Sequence, residues 1–173
     1  DGDGAFVNPE KLSARHPLKR FETNLYLKAT GVQGMDHFDK EYVDVLVARA
    51  RAFPRAARLF LLALDRAHHA DGTPDSARTE FHVPNAHVLK VAREHPELFV
   101  PVVSVHPARR DAIQELETCA AQGAWMVKWL PNAQAIDPAD PRFDPFYRRM
   151  KELGMVLLTH AGEEKAVAVK GAQ

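Results

Sequence analysis

The chain has 173 residues, 46% of them hydrophobic and 27% charged, and its 23 Lys and Arg balance 23 Asp and Glu. That is an ordinary globular composition with enough length for one real core. Zero net charge and the lack of a long Lys/Arg run exclude a basic nucleic-acid footprint. The longest apolar run, Leu59 to Leu64, falls far short of the ~20 residues a membrane span needs. Residues 1–20 are polar, with Gly, Pro and charges, so no signal peptide is expected. The single cysteine, Cys119, excludes a disulfide framework or thiolate metal cluster and reads as a small core residue. A cytoplasmic protein acting on a small molecule, with no nucleic-acid or membrane partner, is the expectation, and a homo-oligomer is allowed.

In chain order, Asp1 to Asn8 is Gly-rich loop. Pro17 to Thr30 carries Leu18, Phe21, Leu25 and Leu27 at helical spacing, with Gly31 as a stop. Asp39 to Phe53 is a stronger helix, with Tyr42, Val43, Leu46, Val47 and Ala50 on one face, Asp39 as cap and Pro54 after its end. The rest alternates. Residues 58–65, "RLFLLALD", read as a buried strand, and a long polar loop follows. Asn85 caps a helix to about His95. Residues 98–107, "LFVPVVSVHP", form a strand, and Asp111 to Gln122 a helix stopped by Gly123. Residues 124–132, "AWMVKWLPN", form a strand followed by a Pro-containing polar loop. Asp144 caps the helix "PFYRRMKEL", stopped by Gly154, and residues 155–162, "MVLLTHAG", are the last strand. The tail can begin another helix. Near-continuous apolar strands separated by helices imply a parallel sheet. Two segments are expected: an N-terminal loop and helical segment, 1–56, and an α/β segment, 57–173.

Ligand groups in such sheets gather at the carboxyl ends of the strands. Asp65, His106, Lys128 and His160 all lie there. Lys128 is the misfit, because an unpaired ammonium in an apolar setting costs several kcal/mol or loses its proton. Alternation puts Met126, Lys128 and Leu130 on one face and Trp125, Val127 and Trp129 on the other. The tryptophans suit a face under helices, so by elimination the lysine faces inward. Val156, Leu158 and His160 share a face, and adjacent strands would bring His160 close to Lys128. Against this stand plainer readings: a lysine that snorkels to solvent, and histidines that are hydrogen-bonded rather than ligating. His68–His69 is a solvated loop pair, and His16, His37, His82, His87 and His95 show neither HxH nor HExxH spacing.

The run "GAWMVKWLPNAQAIDPADPRFDPFYRRMKELGMVLLTHAGEE", supported by "NAHVLKVAREHPELFVPVVSVHP", resembles the amidohydrolase-related metal-dependent hydrolases across roughly Arg58 to Glu164. The resemblance implies a (β/α)8 TIM-like barrel of which the four strands are strands two to five. It implies that His160 is a metal ligand and that Lys128 is the strand-four lysine, carboxylated and metal-bridging in some relatives and a free amine in others. The divalent metal would be zinc, activating water to hydrolyse a C–N or C–O bond, with Asp65 and His106 as substrate contacts. A metal-dependent decarboxylase of the same fold and a non-catalytic α/β fragment needing a partner are the alternatives. The sequence departs from the family in lacking the N-terminal HxH pair. Since a full barrel needs about 250 residues, the chain is expected to be a fragment or an incompletely represented protein.

Overall fold

The computed structural model describes residues 6–7 and 38–162. The helix expected over Pro17 to Thr30 and the tail helix lie outside the described residues. The elements are β1 (Phe6–Val7), α1 (Phe38–Arg51), β2 (Leu59–Leu62), β3 (Phe81–His82), α2 (Asn85–Glu94), β4 (Phe99–Val102), α3 (Ala112–Ala121), β5 (Met126–Trp129), α4 (Pro131–Gln134), a 3-10 turn (Pro141–Phe143), α5 (Asp144–Glu152) and β6 (Val156–Thr159).

β2 pairs parallel with β4, from Leu59 opposite Phe99 to Leu62 opposite Val102. β5 pairs parallel with β6, from Met126 opposite Val156 to Trp129 opposite Thr159. A parallel bridge between Val103 and Val127 joins the two pairs. The four long strands therefore stand side by side in chain order, all pointing the same way, with helices between them. This is the α/β arrangement that the apolar strands and intervening helices imply. β1 and β3 form a separate antiparallel pair.

Two cores lie under the helices. One gathers Val103, Val105, Leu116, Cys119, Val127, Trp129, Phe146 and Met150, so Cys119 is the core residue expected of it. Trp129 is fully buried, with its ring 5.5 Å from that of Phe146 and 5.8 Å from that of Tyr147. The other gathers Val47 and Ala50 of α1 with Val91, Ala92, Leu98 and Phe99. The helical face read from the spacing of α1 is thus the face that packs.

Several local expectations are corrected. β2 is not buried on both faces: Leu59, Phe60 and Leu62 are exposed and only Leu61 packs on the second core. It stands at the edge of the described sheet, where helices cover one side only. Trp125 is exposed too, its ring edge-on to Phe60 at 6.1 Å. Its carbonyl accepts from the Val156 N–H at 2.9 Å, so the ladder reaches it although burial does not. Asn85 is the first helical residue of α2, after Pro84, and no side chain caps that helix. Asp144 likewise opens α5 without capping it, and the capping carboxylate is Asp140, which accepts from the Arg142 N–H ahead of the 3-10 turn. The loop after β5 holds the short helix α4, ended by Ala135 at φ 58°.

Candidate active site

The parallel strands present Lys128 and His160 as alternation suggests. Lys128 stands opposite Leu158 in the β5–β6 register, and the His160 N–H donates to the Trp129 carbonyl at 3.2 Å. Leu157, one residue away from Leu158, packs into the helix-side core, so Leu158, His160 and Lys128 share the opposite face. His160 lies two residues beyond the partner of Lys128, a diagonal neighbour across adjacent strands. Lys128 is half-buried and His160 exposed.

His160 lines a cavity of about 580 Å³ at the carboxyl ends of β5 and β6. Leu130, Pro131, Ala133 and Pro138 supply apolar walls, and Asn132 and Thr159 supply polar groups. The Asn132 amide donates to the Gly162 carbonyl at 2.9 Å, tying the loops after the two strands together across the cavity. A small, mostly apolar recess with a few convergent polar groups is the usual form of a small-molecule site.

Asp65 and His106 sit elsewhere, in a buried polar centre at the ends of β2 and β4. The Asp65 carboxylate accepts from the His106 N–H at 2.8 Å and from Arg109 at 3.2 Å on one oxygen, and from the Arg66 N–H at 2.8 Å on the other. His106 is almost wholly buried. Its Nδ1 accepts from the Ala108 N–H at 3.1 Å, which places the proton on Nε2, 2.9 Å from the Gln134 carbonyl. Both ring nitrogens are thereby committed within the protein. Burial pushes the imidazole down to about 4, against the opposing pull of its bond to Gln134. Burial likewise pushes His82 down to about 4, with the nearby Arg66 charge adding to the effect. Burial disfavours the Arg109 charge, but its hydrogen bonds and charge pairing with Asp111 and Asp65 raise it overall. The His68 ring lies against His106 with centroids 4.9 Å apart and planes tilted by 46°, and both border a second, polar cavity of about 290 Å³ with Asp75, Arg78 and Arg142.

Three further buried polar side chains lie here, Asn85, Ser104 and Gln134, and nothing in their sequence positions marks them. Asn85 passes for a helix cap, Ser104 for a break in an apolar strand and Gln134 for a loop residue. Only their tertiary partners mark them.

Among the described residues no group of three or more His, Cys, Asp or Glu can hold a metal ion. His160 with Lys128 supplies one imidazole and one amine, and that pair does not make up a metal site by itself. Also among the described residues, no helix is long and apolar enough to cross a membrane.

The family model described as Amidohydrolase matches residues 15–171. Neither curated proteins nor solved structures gave a match. A match spanning nearly the whole sequence agrees with the parallel strands that bring Lys128 and His160 to one end of the sheet, and the chain belongs to the amidohydrolase family.

Proposed function

We propose that the chain is the Lys128- and His160-bearing part of a hydrolase that cleaves a C–N or C–O bond of a small molecule. Family membership supports a hydrolase-type or related activity. The observation that carries the finer reading is the placement of Lys128 and His160 on one face, at the carboxyl ends of adjacent parallel strands, with a small-molecule-sized cavity at His160. In this reading the four strands are strands two to five of a TIM-like barrel.

Amidohydrolases generally use divalent metals, and zinc is the ion proposed, with His160 as one donor. The described donors do not complete such a site, so the chemistry is argued from the side chains alone. A scissile carbonyl in the cavity puts developing negative charge on its oxygen. Lys128 stands half-buried on β5 beside the cavity rather than in its wall, and its ammonium is the group proposed to stabilise that charge where the substrate extends onto the sheet face. His160, at the cavity wall, would offer a ring nitrogen to the metal.

The test is hydrolysis of a panel of neutral esters and amides, with zinc supplied, by the chain and by Lys128→Met and His160→Ala. Each variant is expected to lose about 100-fold or more, the usual effect of removing a group that stabilises transition-state charge. Wild-type rates in both variants would overturn the assignment.

A further inference from the structure

We infer that Gln134, acting with Ser104, is a positioning residue for Lys128: these side chains replace the backbone rungs that the sheet lacks at the carboxyl end of β5. This rests on the reading of Lys128 as a site residue.

The geometry is a substitution of partners, rung by rung. Between β4 and β5 the Val103 N–H donates to the Met126 carbonyl at 3.1 Å, and the Lys128 N–H donates to the Val103 carbonyl at 2.7 Å. Continuing a parallel ladder, the next rungs would run from the Val105 N–H to the Lys128 carbonyl and from the Leu130 N–H to the Val105 carbonyl. Three of the four groups in those two rungs are met by side chains instead. The Lys128 carbonyl accepts from Ser104 Oγ at 2.8 Å. The Leu130 N–H donates to Gln134 Oε1 at 2.7 Å. The Val105 carbonyl accepts from Trp129 Nε1 at 2.8 Å.

Gln134 also joins the clamp to its neighbours. Its Nε2 donates to Ser104 Oγ and to the Asp65 carbonyl, each at 3.2 Å. The same replacement occurs between β2 and β4. There the last rung is Ala63 N–H to the Val102 carbonyl at 2.8 Å. Beyond it the Asn85 side-chain amide takes both the N–H and the carbonyl of Ser104, at 2.8 and 3.0 Å.

The strands thus part at their carboxyl ends without leaving a buried side-chain polar atom unpaired among the described residues. Parting widens that end of the sheet, and it also removes the ladder that would hold Lys128 and Leu130 on the β4 side. Gln134 and Ser104 restore the hold. Both are almost wholly buried, so water cannot substitute for them.

The experiment reads the lysine rather than turnover. The chain is treated with trinitrobenzenesulfonate across about pH 7 to 11, spanning the usual lysine range, and Lys128 modification is followed by peptide mass spectrometry. The exposed Lys90 and Lys151 serve as internal references. In Gln134→Met the Lys128 profile is expected to move by at least about 0.5 pH unit, or about threefold in rate below its midpoint, with the references unchanged. Gln134→Glu, which keeps the acceptor for the Leu130 N–H, should recover part of the wild-type profile. An unchanged Lys128 profile in folded Gln134→Met overturns the inference. If that variant does not fold, Ser104→Ala decides by the same criterion, since it removes only the donor to the Lys128 carbonyl and one link of the clamp. If Lys128→Met keeps full hydrolysis while Gln134→Met still moves the lysine profile, the functional reading falls and the clamp stands.

Discussion

His106 shows how far a residue's position along the chain can differ from its task. It stands at the carboxyl end of a parallel strand, where ligand groups gather, yet its two nitrogens are bound to Ala108 and Gln134 and its burial keeps it neutral. This has a pH consequence. The folded imidazole titrates near 4, whereas the unfolded one titrates near its ordinary value of 6.5. Below about 6.5 the unfolded chain takes up a proton that the folded chain refuses, so stability is full above that pH and falls as pH drops toward 4. A fall of this size corresponds to about 3 kcal/mol for His106 at most. His82 acts in the same direction. Urea unfolding at pH 7 and at pH 4.5 should show the loss, and His106→Asn should shrink it. A variant with the same pH dependence as wild type would show that the proton goes elsewhere.

Among the elements, the loop between β2 and β3 is fixed by its backbone. Gly72 holds φ +83°, and a Cβ there would lie 2.7 Å from the Ala108 carbonyl oxygen and 2.8 Å from Arg110 Cγ. Arg110 also donates to the Asp71 carbonyl at 3.1 Å, so this loop and the one after β4 lean directly on each other. Gly72→Ala meets both the backbone penalty of a positive φ and a contact with a carbonyl that cannot move cheaply. It is expected to cost about 1–3 kcal/mol, read as a lowered thermal midpoint. An unchanged midpoint would mean that the two loops separate freely. The helices carry a different lesson. Their apolar faces, such as Val88, Leu89, Val91 and Ala92 of α2, were legible because packing follows the 3.6-residue period. The caps expected at Asn85 and Asp144 are absent: the Asn85 amide bonds Ser104 and Glu115 across the fold instead, and Asp144 is already the first residue of α5.

Over the whole molecule, the described sheet is covered on one side. Phe60 (52% exposed), Leu62 (44%), Val156 (50%) and Leu158 (41%) project from the two outer strands on the side away from the helices. Single exposed apolar side chains are unremarkable, but apolar pairs on both outer strands of one face favour association. The chain is expected to sediment with a concentration-dependent increase in size, and the double variant Phe60→Ser/Leu158→Ser is expected to reduce it. Identical sedimentation of the two would show that this face takes no part in association.

By itself the sequence determined the alternation of apolar strands and amphipathic helices, the parallel sheet, and the set of polar residues at the strands' carboxyl ends. It also determined the inner face of Lys128, because that face follows from a period of two. These are local or periodic properties, written in neighbouring residues. Only the tertiary structure decided what each polar residue does. It assigned Asp65 and His106 to a closed network, left His160 at a cavity wall, and gave Ser104, Asn85 and Gln134 the work of missing backbone rungs. Gln134 meets the Leu130 N–H only four residues back, but the other pairings join residues 19 to 69 positions apart. A buried hydrogen bond depends on where distant strands part, and no local pattern records that.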